Sequence, residues 1–275
     1  MSIDKNIYNY NYYKISGESS SDISNNYGLK IISEIAKNSK LILECGCGEG
    51  SKLFRICGNR KNCYGVDYSK IGIKIAQSKY RNINFSIGNI EYLDFPDSKF
   101  DLIYSAFVIE HTENPLKIIN EMIRVTKKNG KIAIVCPNFG SMCYRSPCNK
   151  ESILIRSVKI LFQDLFMFLL PKNQLRWNFV KPIATNTIYK PDWDTTVEPR
   201  LTSLVHYLSG KNNVTIEKAE SIWGIKKDWM PKKNKFYKIY FFITVLCKFL
   251  NRLGIYPFKF YGPQLLIILK KNSND

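Results

Sequence analysis

Between residues 30 and 136, five short apolar runs alternate with stretches of helical periodicity. That alternation predicts a parallel sheet covered by helices on both faces. The first run, Leu41-Ile42-Leu43, leads into Glu44-Cys45-Gly46-Cys47-Gly48-Glu49-Gly50. Glycines at 46, 48 and 50 let the backbone turn sharply and approach a ligand closely. A phosphate cradle would use the same glycines, but a loop holding pyrophosphate at a helix N-terminus relies on positive potential, which Glu44 opposes. A dinucleotide fingerprint also places its third glycine at position 51, where this chain has Ser51. The loop therefore points to a nucleotide-like ligand with a positive end.

The second run, Asn62-Cys63-Tyr64-Gly65-Val66-Asp67-Tyr68, finishes in an acid one helix later. Asp67 is placed to accept two hydrogen bonds from a ribose diol and to reject a phosphorylated ribose by charge. Next come Asn84-Phe85-Ser86-Ile87-Gly88-Asn89-Ile90 and then Phe95-Pro96-Asp97-Ser98-Lys99-Phe100-Asp101-Leu102-Ile103-Tyr104-Ser105-Ala106. Ile109-Glu110-His111 follows, with Asn114-Pro115 suited to open a helix. Lys127-Lys128-Asn129-Gly130 closes that helix before a fifth strand, Lys131-Ile132-Ala133-Ile134-Val135.

Taken in order over about a hundred residues, these pieces resemble the class I S-adenosylmethionine-dependent methyltransferases, in their quinone, sterol and small-molecule branch. The resemblance implies an α/β fold: a Rossmann-like seven-stranded methyltransferase sheet, mostly parallel with one antiparallel strand, with helical cap and insertion segments. It also implies S-adenosyl-L-methionine as cofactor. The turn of Glu44, Gly46, Cys47, Gly48 and Gly50 would lie under the methionine and ribose portions, Asp67 and Tyr68 at the ribose, Asn89 and Ile90 at the adenine, and Ala106 facing the cofactor from the end of the fourth strand. Asn89 departs from the acid common at its position, although its amide oxygen still accepts a hydrogen bond. His111 matches a His often found beside the methyl group, which makes it the candidate general base; a helix-start residue bonded to backbone is the competing reading.

Two further strands are expected at Asn213-Val214-Thr215-Ile216-Glu217 and Gln264-Leu265-Leu266-Ile267-Ile268-Leu269, after a helix over Arg200 to Ser209. The whole chain reads as one domain, with a tail or lid over 1–29, a cofactor-binding core over 30–138, a cap insertion over 139–200, and C-terminal strands over 201–275 interrupted by a basic, aromatic insertion at 225–262. Tyr8, Tyr10, Tyr12 and Tyr13 form either a lid or a disordered tail. In Pro191-Asp192-Trp193-Asp194, Asp192 and Asp194, with Glu198 nearby, are candidates for binding acceptor hydroxyls, against the reading of a solvated loop. Ser152 to Leu170 reads as an amphipathic helix with Arg156, Lys159 and Asp164 on one side, ended by Pro171 and packed as a cap over the site. A second apolar run, Ile239 to Cys247, is flanked by Lys232, Lys233, Lys235, Lys238 and Lys248. Both are poor membrane spans, but with their basic flanks they keep peripheral membrane contact open.

Charge is unevenly spread: residues 1–140 carry 19 Lys and Arg against 14 Asp and Glu, and residues 141–275 carry 22 against 9. The surplus in the second half points to an amphiphilic or anionic acceptor or an acidic surface, or else to biased residue usage. Nucleic acid is disfavoured, since Ser105-Ala106-Phe107 stands where base-amine methyltransferases carry Pro-Pro, and Cys136-Pro137 reverses the Pro-Cys of those attacking base carbon 5. The eight cysteines (45, 47, 57, 63, 136, 143, 148 and 247) lack metal-site spacing and are expected as reduced thiols, with no metal. Met1 to Ser21 lacks an apolar signal region, so a cytoplasmic protein is expected, with membrane-peripheral contact open. Two functions stand: a methyltransferase acting on a small-molecule, glycan-precursor or lipid-like acceptor, and a non-catalytic membrane-surface or partner-binding protein retaining the fold. Oligomeric state and acceptor atom are not encoded in any motif.

Overall fold

The computed structural model describes residues 8–13, 15, 23–141, 144–183, 190, 192–223, 237–255 and 258–273. Cys143, Pro191, Lys232, Lys233 and Lys235 lie outside them, as do most of the N-terminal segment and residues 224–236.

Seven strands form one sheet: β1 (Ile42–Cys45), β2 (Cys63–Asp67), β3 (Asn84–Ile87), β4 (Phe100–Ala106), β5 (Thr126–Pro137), β8 (Val214–Ile222) and β9 (Gln264–Lys271), in the order β3-β2-β1-β4-β5-β9-β8. The first five are mutually parallel, and β9 runs antiparallel to both β5 and β8. The sheet is thus mostly parallel with one antiparallel strand, as the resemblance implied. Strands β1, β4 and β9 are buried almost throughout, as expected of a sheet covered on both faces.

The covering helices bury apolar stripes. Helix α1 (Tyr27–Lys37) buries Leu29, Ile32 and Ala36, and Asn26 caps it by accepting from the Leu29 N–H. Helices α2 (Ser51–Cys57) and α3 (Lys70–Lys79) follow β1 and β2. Helix α4 (Pro115–Val125) opens on the expected proline and buries Ile118, Ile119, Met122 and Ile123. Strand order reverses between β1 and β4, so the chain segments leaving Cys45, Asp67 and Ala106 converge at one edge, where a crevice opens in such sheets.

Four expectations need correction. Ser152–Leu170 is not one helix but α5 (Ile153–Leu165) followed by a 3-10 turn over Met167–Leu169. Its polar residues do not share one outward side: Arg156 is buried and the Asp164 side chain is only 4% exposed, while Lys159 is exposed and pairs with Glu151. Arg156 donates to the Ser141 and Tyr144 carbonyls, and Asp164 pairs with the buried Arg200 and accepts from the Tyr261 hydroxyl at 2.8 Å, so these polar groups pull their own face inward. The cysteines are not all free, because Cys57 and Cys63 form a disulfide joining the end of α2 to the start of β2. Nor are Asp194 and Glu198 on a solvated loop, since both are buried. Beyond these, the chain forms a two-stranded pairing of β6 (Asn178–Phe179) with β7 (Val197–Glu198), then α6 (Leu201–Leu208) and α7 (Tyr237–Arg252).

Candidate functional site

The glycine turn has the backbone its composition asks for. Gly46, Gly48 and Gly50 all have positive φ, at 78°, 54° and 81°. A side chain at Gly46 would meet Val108 at 2.5 Å, and one at Gly50 would meet Phe85 at 2.7 Å, so the turn is both strained for other residues and closely packed. Three bonds tie it to β2: the Gly46 and Cys47 N–H groups donate to the Val66 carbonyl at 2.8 and 3.2 Å, and the Gly48 N–H to Asp67 Oδ2 at 2.8 Å. Asp67 Oδ1 accepts from the Ser69 N–H at 2.8 Å. Each carboxylate oxygen keeps lone-pair capacity for a further donor.

Glu44 stands out electrostatically. It is fully buried, and by strict hydrogen-bond geometry neither carboxylate oxygen is partnered; the buried Tyr104 hydroxyl, unpartnered by the same measure, stands close enough to draw the Glu44 carboxyl down. Burial pushes its carboxyl up to about 8, against the pull of Lys52, whose ammonium donates to the Ala106 carbonyl at 3.1 Å. A buried carboxylate with so little compensation is costly, and a ligand that brings a positive group relieves that cost. These residues fit a cofactor with a cationic end.

Other members of the expected donor set are less uniform. Cys47 and Ile90 are buried, and Ala106 is buried where β4 ends. Asn89 is exposed, and its amide oxygen already accepts from the Glu91 N–H at 2.9 Å, leaving one lone pair for an adenine amino group. Tyr68 is exposed at 43% but not isolated, since its ring meets Tyr8 edge-on with centroids 5.5 Å apart.

On the acceptor side, the structure joins residues far apart in sequence. His111 ends a 3-10 turn (Ile109–His111), and its N–H bonds to the carbonyl of Val108, the residue packed on Gly46. Its Nδ1 lies 3.2 Å from the Asp194 carbonyl and 3.4 Å from Asp194 Oδ1. The tautomer that donates from Nδ1 to Asp194 leaves Nε2 as the basic nitrogen. Burial alone would lower the pKa of His111, but Asp194, Glu110 and Asp192 outweigh it and hold it above its ordinary value. Glu110, wholly buried with one unpartnered oxygen, is pushed by burial up to about 7, against the pull of His111.

Asp194 Oδ2 accepts from the Tyr8 hydroxyl at 3.1 Å. Tyr13, also buried, lies over the glycine turn: a Cβ at Gly48 would meet its ring at 3.3 Å, and one at Gly72 at 2.9 Å. Of the N-terminal tyrosines, then, Tyr8 and Tyr13 pack against the site and Tyr10 is exposed. Asp192 sits in a left-handed turn and accepts from the Tyr144 hydroxyl. Glu198 accepts from Asn149 and Asn178, a loop-pinning role rather than an acceptor-facing one.

Sequence reasoning missed Lys52, Glu110 and Tyr104. Glu110 stood beside His111 in the quoted motif, and Lys52 lies two residues past the last glycine, but their burial carries no sequence signal. Among the described residues there is no cluster of three or more His, Cys, Asp or Glu able to hold a metal, and no helix is long and apolar enough to cross a membrane.

Comparison with known proteins meets this geometry. Residues 43–134 match the model of the methyltransferase domain family. The chain is 29% identical over 97 residues to a probable S-adenosylmethionine-dependent methyltransferase of Mycolicibacterium smegmatis, covering 35% of this chain and 38% of that one. It is 26% identical over 177 residues to the chloroplastic tocopherol O-methyltransferase of Arabidopsis thaliana, covering 60% and 49%. Among solved structures, a SAM dependent methyltransferase from Archaeoglobus fulgidus superposes with a TM-score of 0.53 at 20% identity, covering 96% of this chain and 100% of that one, which speaks for the fold. The chain spans less than two thirds of the length of the curated relatives it matches.

Proposed function

This chain carries a class I S-adenosylmethionine-dependent methyltransferase domain, and we propose that it transfers a methyl group to a hydroxyl of an amphiphilic or anionic small molecule. The observation that carries the acceptor reading is the buried Asp194 at His111, linked through Tyr8 to the rim of the donor pocket. Glu44 and the glycine turn would hold the positive end of the cofactor, Asp67 its ribose, and Asn89 with Ile90 its adenine. When bound, S-adenosylmethionine supplies a methyl group on a sulfonium, so holding the acceptor in line provides much of the acceleration.

A hydroxyl becomes a good nucleophile as its proton leaves, and His111 Nε2 is the group to take it. Asp194 orients the ring and stabilises the imidazolium that results, while Tyr8 fixes the other carboxylate oxygen. Tyr13 and Tyr8 close over the two halves and exclude water. The tocopherol relative supports the class, being named for methylating the oxygen of an amphiphile. Asp192 stands beside this cluster and remains a candidate for acceptor binding.

The test is transfer of labelled methyl from S-adenosylmethionine to fractionated lipid and metabolite extracts. Label in a base-stable methyl ether, lost with His111→Ala, supports the reading. Label in nitrogen-linked methyl, or a His111→Ala variant as active as the parent, overturns the hydroxyl assignment. Cofactor binding with no label in any fraction favours the non-catalytic partner-binding alternative.

A further inference from the structure

Helix α5 is turned inside out. Ile155, Val158, Phe162 and Leu165, continued by Leu169 in the turn that follows, recur at steps of three and four and are all more than 60% exposed. Such spacing places them on one stripe of the helix. Phe162 and Phe166 extend it, with ring centroids 4.8 Å apart. The opposite face sends Arg156 and Asp164 inward with Ile160. Helix α7 repeats the arrangement: Phe242, Val245, Leu246, Phe249 and Leu253 are exposed while Cys247 is buried. Both helices are tied to the segment leading into β9, α5 by the Tyr261 hydroxyl on Asp164, and α7 by the Ile255 N–H on the Leu250 carbonyl and the Lys259 N–H on the Ile255 carbonyl. The two helices therefore attach to one segment, the one that leads into β9.

Charge names the occupant. From residue 229 to 274 the chain has no acidic residue, and before β9 it carries Lys232, Lys233, Lys235, Lys238, Lys248, Arg252 and Lys259. Between 152 and 190 its only acid is Asp164, which the buried Arg200 neutralises. On α7 itself Lys248 and Arg252 are exposed beside the apolar residues. Soluble monomers rarely display apolar faces of this extent, and neither helix is long enough to cross a bilayer. An apolar face with basic neighbours suits the interface of an anionic bilayer, where burial in the acyl boundary and attraction to acidic headgroups act together.

We propose that α5 and α7 form a lipid-binding face that seats the protein on an anionic bilayer surface. This inference is independent of the methyl-transfer reading.

The experiment is co-sedimentation of the full chain with vesicles of phosphatidylcholine, with and without about one third phosphatidylserine. Binding should be at least about tenfold stronger to the phosphatidylserine vesicles and should weaken with salt. Phe162→Ser combined with Phe249→Ser should lower it about tenfold, with the thermal melt and cofactor affinity unchanged. A second variant, Lys248→Glu with Arg252→Glu, leaves both apolar faces intact and should remove the preference for phosphatidylserine. Absence of vesicle binding, binding indifferent to phosphatidylserine and salt, or a dimer that the Phe double variant dissolves without any vesicle binding overturns the proposal.

Discussion

Helices α4 and α5 are similar in length and opposite in dress. Helix α4 presses Ile118, Ile119, Met122 and Ile123 into the core, whereas α5 presses in Arg156 and Asp164 and shows Ile155, Val158, Phe162 and Leu165 to the outside. The first is held by the hydrophobic effect, and the second by a buried ion pair and backbone carbonyls. The difference teaches that a stripe of apolar residues names a face without naming its neighbour: in α4 the stripe meets the sheet, and in α5 it is exposed.

The largest effect separates the two faces of α5. Asp164→Ala leaves Arg200 buried without its charge partner and should cost about 3–5 kcal/mol in urea unfolding, whereas Phe162→Ser should stay within about 0.5 kcal/mol. Equal costs for the two would break the comparison.

Within the donor half, Asp67→Ala should weaken S-adenosylmethionine binding by about 1–3 kcal/mol in calorimetry. Unchanged affinity would remove Asp67 from the ribose. At the acceptor side, Asp194→Asn takes away the carboxylate that helps hold His111 above its ordinary value, so the rising limb of kcat/KM against pH should move to lower pH. A limb that stays in place would mean another group is the base.

A further effect concerns Glu44 and stability. Its carboxyl is raised from 4.5 to about 8 in the folded protein, so the fold binds a proton that the unfolded chain releases earlier. Stability of the ligand-free protein should therefore decline as pH rises from about 4.5 through about 8. Glu44→Gln should escape that decline and melt about 10 °C or more above the parent at alkaline pH, since each pKa unit is about 1.4 kcal/mol and each kcal/mol about 2–4 °C. Parallel pH profiles for the two proteins would contradict the burial argument.

The donor half was the legible half. Short apolar runs, an acid at the ends of the first two of them and glycines where φ is positive are local signals, and β1 to β5 stand where they point. The acceptor half is built from long-range pairings: His111 meets Asp194 across 83 residues, and Tyr8 meets it across 186. Nothing local to any of these residues encodes its partner. Helix α5 was legible as amphipathic but not in its orientation, because periodicity is the same whichever face turns inward. The Cys57–Cys63 disulfide was missed for a similar reason, since spacing alone did not distinguish a bond between an outgoing helix and an incoming strand from two buried thiols.

One titration reaches the centre of the account, which is that Glu44 waits for a positive charge. Calorimetry of S-adenosylmethionine binding at about pH 7, run in phosphate and in Tris, reads both affinity and proton exchange. Because Glu44 is largely protonated there without ligand, a docking cation should ionise it, releasing up to about one proton and making the apparent enthalpy depend on buffer. The expected result is binding with that release, and a Glu44→Gln variant that binds more weakly with no buffer dependence. No binding at millimolar ligand, or binding that takes up no notice of either buffer or Glu44, would contradict it.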